Sequence, residues 1–356
     1  MAYDEIYNEL KGKMTDDKAA NEAMLKQEFE RFLREKNEDG TSAAADLIME
    51  NMPEDRRDEI IRITHIDGVN LEEYYEKIDK LLDERNINEA KILAEKLYKK
   101  IIVDFKETEK ERFVSFRNPF EDNLYQVFFK PDKTLTRTPY DFPKYITTYA
   151  YILTEAGSPY DAIPVLEKAM EYNPVDCGPK LELAEVYKRL KNKKRLIEIT
   201  AETLRVASSP QTIARCYANM GYMLTDFGEY DDAVAFYTAS AMADAHPAIP
   251  LEMQHLADLK GSPIQYVGRE KINEVFEKYD LTFGPNQEVV NVAAQLSAYY
   301  LGQKNIKYAL NAMKITYGLT RDQELRKIIL KYEGVVFPER TQKPDITQTV
   351  NENPEE

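Results

Sequence analysis

The residue types that most often carry chemistry are few and scattered in this chain. Its three histidines, His65, His246 and His255, form no HExxH pattern, and no two of them share a helix face at a spacing of four residues. The sequence also lacks a phosphate-binding loop, a GxGxxG fingerprint and a GxSxG nucleophile elbow. It therefore predicts no catalytic residue, no metal ligand and no cofactor, and we expect a protein that is not an enzyme.

The two cysteines and the many carboxylates also have structural explanations. Cys177 and Cys216 lie too far apart in sequence for a metal knuckle, and no CxxC accompanies them, so we expect two half-buried helical thiols in a reducing compartment. Acidic pairs such as Asp231-Asp232 are typical of the solvated face of an amphipathic helix.

Charge and hydropathy restrict the partner and the location. The net charge of −15 argues against nucleic acid, because phosphate binding needs clustered Lys and Arg. No run of about 18 apolar residues is present and no secretory signal is visible, so we expect a cytoplasmic protein without membrane insertion. The hydrophobic fraction of 43% is enough for a core, whereas only 13 glycines in 356 residues disfavours a Rossmann sheet.

The elements that must position any site are helices. Residues 4–63 show apolar stripes at helical spacing, for example Ile6, Leu10 and Met14. A first helical hairpin is predicted from segments 71–83 and 88–103. Residues 105–143 are rich in aromatics and prolines.

Within that aromatic segment, Asn118-Pro119-Phe120-Glu121 has the pattern of a capping box with proline in the first helical position. It predicts a short helix over residues 119–129, with Leu124, Phe128 and Phe129 facing inward.

An internal repeat near 34 residues is the most informative feature. Segment 143–176 places Ala150 in its first helix and Ala162 in its second, with a turn at Gly157-Ser158. Segment 214–247 repeats this arrangement with Gly221 and Ala233 at the equivalent positions. Ala184 and Ser297 occupy the same small-residue position in two further helices. In the segment between the two strong repeats, Leu196 or Ile197 occupies the corresponding position of the second helix.

This pattern resembles the tetratricopeptide repeat (TPR) family, well over residues 143–247 and loosely over 71–104 and 248–318. The whole chain is also similar to uncharacterised bacterial TPR-containing proteins. The resemblance implies an all-α, tetratricopeptide-like α-solenoid, a right-handed superhelix with an N-terminal helical segment, whose hairpins stack from about Leu71 to Tyr332. We expect four parts: an N-terminal helical segment (1–66), a divergent hairpin with the aromatic and proline-rich insert (67–142), the array (143–337) and a disordered tail (338–356).

The resemblance also implies a binding surface, because the family's inner groove is lined by first-helix residues that flank the small contact position. Transferring those positions predicts a peptide-binding groove of mixed charge that contains two tyrosines. Its members are Lys144, Thr147, Tyr151, Thr154, Glu185, Lys188, Arg189, Arg215, Tyr222 and Asp226.

Two functions fit this pattern. One is a scaffold or adaptor that binds a protein or peptide partner in the concave groove. The other is a bacterial regulator that senses a short peptide, since some signalling-peptide receptors join an N-terminal helical bundle to such repeats. The sequence leaves the partner, the pathway and the oligomeric state open.

Overall fold

The computed structural model describes residues 2–245 and 248–336, and within this part the chain is almost entirely helical. It contains eighteen helices and two small two-stranded sheets. The all-α, tetratricopeptide-like class with an N-terminal helical segment is confirmed, whereas the handedness of the superhelix stays a prediction. The predicted tail at 338–356 lies outside the described residues. The chain divides into two compact units, Met1–Ile78 and Asp79–Glu356.

The first unit is a small helical bundle followed by a β-hairpin. Its elements are α1 (Tyr3–Lys13), α2 (Lys18–Glu35), α3 (Glu38–Asn51), α4 (Glu54–Thr64), β1 (His65–Ile66), β2 (Val69–Asn70) and the start of α5 (Leu71–Asp83). Leu10, Leu25 and Leu47 from three different helices are almost completely buried in one core. A Cβ at Gly40 would lie 2.4 Å from the Phe32 ring, so α2 and α3 approach closely where there is no side chain.

The β-hairpin between α4 and α5 was not predicted. Ile66 pairs with Val69, and the two residues between them, Asp67 and Gly68, have φ of +52° and +79°. Positive φ at both central residues is the geometry of a type I′ turn, for which Asp-Gly is a preferred dipeptide. The Asp67-Gly68 pair could therefore have predicted this hairpin, but the sequence analysis considered only helices in this region.

The second unit contains the repeats and the insert. Its elements are α6 (Ile87–Asp104), β3 (Glu111–Val114), α7 (Pro119–Phe129), β4 (Thr134–Arg137), α8 (Phe142–Glu155), α9 (Pro159–Tyr172), α10 (Cys177–Arg189), α11 (Lys193–Val206), α12 (Pro210–Asp226), α13 (Tyr230–Ala243), α14 (Ala248–Lys260), α15 (Arg269–Lys278), α16 (Gln287–Gly302), α17 (Ile306–Thr320) and α18 (Gln323–Val336). Each of the pairs α8/α9, α10/α11, α12/α13 and α16/α17 packs as a hairpin.

Small residues allow these hairpins to form. Ala150, Ala162 and Ala233 are completely buried, as the repeat pattern requires. At Gly221 a Cβ would lie 2.7 Å from Cε1 of Tyr237, so α12 and α13 meet with no room for a side chain. Of the two alternatives in α11, Leu196 is completely buried, whereas Ile197 is only half-buried. In the last hairpin the prediction of Ser297 is wrong, because Ser297 is half-exposed and Ala293 is the buried small residue of α16.

The hairpins stack through their first helices. Helix α8 packs against α10, α10 against α12, and α12 against α14. The last hairpin departs from a simple continuation of the expected array, because the main partner of α16 outside the hairpin is α7. Helix α18 then covers α17 through Leu310, Met313 and Ile329.

The insert consists of a parallel pair, β3 and β4, connected by α7. Glu111 is in register with Thr134, and Val114 with Arg137. The predicted helix has the expected bounds, and the Asn118 side chain accepts a hydrogen bond from Glu121 N at 3.1 Å. The second half of the capping box differs, because Glu121 Oε2 accepts from Arg117 N at 2.9 Å.

The inward face of α7 also differs from the prediction. Leu124 is buried as expected, but Phe129 is 39% exposed. Phe120 and Tyr125 are buried in place of the last two aromatics. Phe128 is only half-buried, and its carbonyl accepts a hydrogen bond from Arg205 Nη2 at 3.2 Å, which ties the end of α7 to α11.

A cluster of charged side chains connects α11, α13 and α15. The Tyr279 hydroxyl lies 2.7 Å from both Glu229 Oε2 and Asp232 Oδ2, while Lys193 pairs with Glu229 and Lys278 with Asp232. Burial opposes ionisation of both carboxyls, but the hydrogen bonds from the lysines and from Tyr279 outweigh it, so the pKa of Glu229 and that of Asp232 are lowered.

Replacing Gly221 with alanine is expected to destabilise the fold by about 1–3 kcal/mol, because the new methyl group must displace the Tyr237 ring. Gly302→Ala is the control, since a Cβ there meets nothing within 4 Å and its free energy of unfolding should stay within about 1 kcal/mol of the parent. Urea denaturation followed by circular dichroism measures both. Equal stability of the two variants would refute the close approach.

The charged cluster predicts a specific pH dependence. Because the folded pKa values of Glu229 and Asp232 are lowered, their contribution is fully present above the unfolded values of about 4. It is lost as the pH falls through the lower folded values. The stability lost in Tyr279→Phe should therefore be large at pH 7 and shrink below about pH 4.

Denaturation of the parent and of Tyr279→Phe across this pH range checks the expectation. Tyr160→Phe, at a side chain that is 71% exposed, is the control and should show no pH-dependent difference. A constant difference between the parent and Tyr279→Phe at all pH values would mean that the hydroxyl does not act through ionised carboxylates.

Candidate functional site

The stacked first helices bring the ten predicted groove residues onto three adjacent helices. We call the surface formed by α8, α10 and α12 the A face. Helix α8 carries Lys144, Thr147, Tyr151 and Thr154; α10 carries Glu185, Lys188 and Arg189; and α12 carries Arg215, Tyr222 and Asp226.

Exposure divides these residues into two groups. Tyr151 is 47% exposed and Tyr222 is 42% exposed, so neither is a core residue. Lys144, Arg189, Arg215 and Asp226 are also exposed, whereas Thr147, Thr154, Glu185 and Lys188 are half-buried. Two large aromatic surfaces therefore remain accessible beside charged side chains.

The arginines of the A face are already paired across helices. Arg189 Nη2 on α10 lies 2.6 Å from Glu155 Oε1 on α8. Arg215 Nη2 on α12 lies 2.9 Å from Glu182 Oε1 on α10, and 3.6 Å from Glu185. Each guanidinium on one helix thus neutralises a carboxylate on the preceding first helix.

Lys188 contacts three side chains of the A face. Its Nζ lies 2.8 Å from Glu185 Oε2 and donates to Asn219 Oδ1 at 2.9 Å. The same ammonium lies 4.9 Å from the centre of the Tyr222 ring, a cation–π distance. Lys188 therefore holds the Asn219 amide in one orientation.

Two buried polar atoms on these helices have no hydrogen-bond partner among the residues that the structure describes. They are Nδ2 of Asn219 and Oγ1 of Thr147. The Asn219 side chain is only 4% exposed, and an amide nitrogen carries two donors that are costly to leave unpaired. The face thus holds an unused donor on α12 and an unused hydroxyl on α8.

Sequence reasoning missed Glu155, Glu182 and Asn219. The signal was present, since Arg189 follows Glu155 by 34 residues and Arg215 follows Glu182 by 33, about one repeat in each case. Opposite charges one repeat apart on first helices are expected to meet when those helices stack. By contrast, Asp226 pairs with Lys191 at 3.5 Å, near the hairpin turns, and Thr154 Oγ1 donates to Ala150 O within α8.

The remaining reactive residue types do not converge. His65 contacts Thr64, His255 is exposed on α14, and His246 lies outside the described residues. Burial raises the pKa of Cys177 to about 12 and also raises that of Cys216, so both thiols stay protonated. Among residues 2–245 and 248–336 no group of three His, Cys, Asp or Glu side chains is placed to hold a metal ion. No helix in this part of the chain is long and apolar enough to cross a membrane.

Comparisons with known proteins give little beyond the geometry. No family model and no curated protein matches the sequence. Among solved structures, the chain is similar to one in the crystal structure of the APC/C hetero-tetramer Cut9–Hcn1, with a TM-score of 0.31 and 14% identity. The match covers 88% of this chain but only 61% of that chain. The assignment of the fold rests on the hairpins described above.

Comparing alanine variants of two buried asparagines tests whether the Asn219 amide contributes to the stability of the fold. Asn173→Ala is expected to cost about 2–4 kcal/mol, because Asn173 Nδ2 donates to Ser115 O and to the buried Glu121 carboxylate. Asn219→Ala should cost about 1 kcal/mol or less, since it also removes two unpaired donors. Urea denaturation compares the two, and a loss at Asn219 as large as that at Asn173 would assign the amide a purely structural role.

Proposed function

We propose that this protein binds a peptide or protein segment along the A face. The observation that carries the proposal is the buried Asn219 amide, which is oriented by Lys188 and keeps its two donors unpaired. Because Asn219 Nδ2 is buried, a carbonyl group of an extended peptide reaches this donor only after the side chains that cover it move aside. Binding would then remove a cost that the unliganded fold carries.

The neighbouring aromatic residues supply apolar contact. Tyr151 and Tyr222 are large side chains that bury much area with few rotatable bonds, and tyrosine is a common anchor residue in interfaces. Their hydroxyl groups can also bond to polar groups of a partner. A segment of mixed character, with apolar side chains beside polar ones, suits this surface best.

The paired charges limit what the partner can be. Arg189 and Arg215 are neutralised by Glu155 and Glu182, so the face offers no excess of positive charge. A strongly acidic tail would have to displace these carboxylates. The proposal is therefore a scaffold or adaptor with no nucleic acid and no cofactor in its site.

A second function is favoured by one observation. The first unit, Met1–Ile78, has its own core and forms a compact body distinct from the repeats. This is the layout of a regulator in which a helical bundle responds to a peptide on the repeats. A change in hydrogen exchange within residues 3–64 upon addition of a short peptide would support the regulator, whereas exchange confined to the A face would support the scaffold.

Site-specific photo-crosslinking in the source cell locates the partner. A photoreactive residue at Tyr222 is expected to capture a protein or peptide, and the same residue at Tyr160 on α9 should not, although Tyr160 is more exposed. Mass spectrometry identifies the adduct. Capture at Tyr160 alone would move the binding surface off the A face.

Once the partner is identified, Arg189→Ala with Arg215→Ala should weaken binding while leaving the fold intact. Both pairs are solvent-exposed, so their loss should cost the fold about 0–1 kcal/mol each. The control is Arg326→Ala, an exposed arginine on α18. Unchanged affinity in the double variant and in Asn219→Ala would contradict the proposed site.

A further inference from the structure

A small cavity lies where the last hairpin meets the middle of the repeats. Its volume is about 230 Å³. It is bounded by the start of α12, the end of α13, the start of α15, residues 283–285 and the end of α17. It is separate from the A-face residues described above, and nothing in the proposed function uses it.

The walls of this cavity combine an apolar surface with two cations. Ile213, Tyr217, Phe283 and Leu319 supply apolar lining, and Arg269 and Arg321 supply guanidinium groups. Its described lining contains no carboxylate, although the chain has 63 acidic residues against 48 basic ones. In so acidic a protein, two arginines at one cavity, of which only Arg321 has a described carboxylate within 4 Å, indicate affinity for an anion.

Neither guanidinium is fully used within the described part of the fold. Arg269 lies 5.5 Å from the Phe283 ring centre and makes no ion pair with a described residue. Arg321 donates to Ala243 O at 3.2 Å and lies 3.9 Å from Asp244 Oδ1. Since a guanidinium carries five N–H donors, both arginines keep donors for a ligand.

The wall next to these arginines is held in place. The Tyr217 hydroxyl, on a side chain with no solvent exposure, accepts from Gly284 N at 3.0 Å and lies 3.4 Å from Gly284 O. Gly284 has φ of +108°, which side chains rarely adopt. The loop that carries Phe283 is therefore fixed against α12, and the cavity is already formed without a ligand.

We propose that this cavity binds a small organic carboxylate, whose charged group pairs with Arg269 and Arg321 and whose apolar body packs against Ile213, Phe283 and Leu319. The volume equals that of roughly eight water molecules in the liquid. It lies below the range of about 300–1,000 Å³ that is typical of drug-sized ligands. A nucleotide is therefore too large, and an acid of about six carbon atoms fits.

Such a ligand would also stabilise the fold. It would contact α12, α15 and α17 together, so binding to the folded state stabilises the position of the last hairpin. This role is independent of peptide binding on the A face, because the two sites use different residues.

The test uses hexanoate as the probe, with acetate and 1-hexanol as its separate halves, on the full chain carrying ¹³C-methyl methionine. Hexanoate should shift the Met242 methyl signal, since Met242 lines the cavity, and leave that of Met313, which is buried between α17 and α18. Acetate and 1-hexanol should bind at least about tenfold more weakly than hexanoate, because each lacks one of the two contacts.

Variants decide whether the arginines are responsible. Arg269→Gln should weaken hexanoate binding about tenfold, and the double variant with Arg321→Gln should weaken it further, while Arg326→Gln binds as the parent does. Circular dichroism confirms that each variant is folded. Equal binding of acetate and hexanoate, an unchanged affinity in the double variant, or no shift at millimolar hexanoate would each overturn the proposal. Failure here leaves the A-face experiments unaffected.

Discussion

The fold depends on how closely the two helices of each repeat approach. At Gly221 the ring of Tyr237 occupies the place of a side chain, and Ala150 and Ala162 are buried at the corresponding positions of an earlier repeat. Because interiors are close-packed, one additional methyl group at such a contact must displace the side chain that it meets. The ion pairs Arg189–Glu155 and Arg215–Glu182 then join the first helices of hairpins that are packed in this way.

A buried polar network attaches the insert to this array. Glu121 is 7% exposed and accepts from Arg117 and Asn173, while Arg117 Nη2 also donates to Asp176 Oδ1 at 3.0 Å. A buried carboxylate is tolerated only when its oxygens are bonded, and here both are. The network positions α7, which in turn packs against α16. An insert of aromatics and prolines thereby determines where the last hairpin lies.

Sequence reasoning identified the repeats because their signal is local. Small residues at Ala162 and Ala233, and the Asn118 cap of α7, depend on neighbours in the same hairpin or turn, so their spacing is visible in the chain. The contact between α7 and α16 joins segments more than 150 residues apart, and no period connects them. The misassigned Ser297 has the same origin, since which small residue of α16 is buried depends on packing that the repeat pattern does not describe.

The sequence predicted which helices carry the ten candidate groove residues, and their role in binding stays a prediction. It did not predict the carboxylate partners of Arg189 and Arg215. The structure pairs both with carboxylates about one repeat earlier, so neither guanidinium is an isolated cation. These two pairs therefore add little to the long-range steering of a charged partner, because opposite charges a few ångströms apart largely cancel at a distance.

Recognition on such a face must come from short-range contacts. Tyr151 and Tyr222 supply exposed apolar area, and in the proposed complex the buried Asn219 amide supplies a directed donor. A partner that fits gains by bonding that donor, whereas one that cannot offer an acceptor leaves it unpaired and gains only the aromatic contact. On the proposed function, selectivity at the A face would therefore depend more on the match to Asn219 than on the charge of the partner.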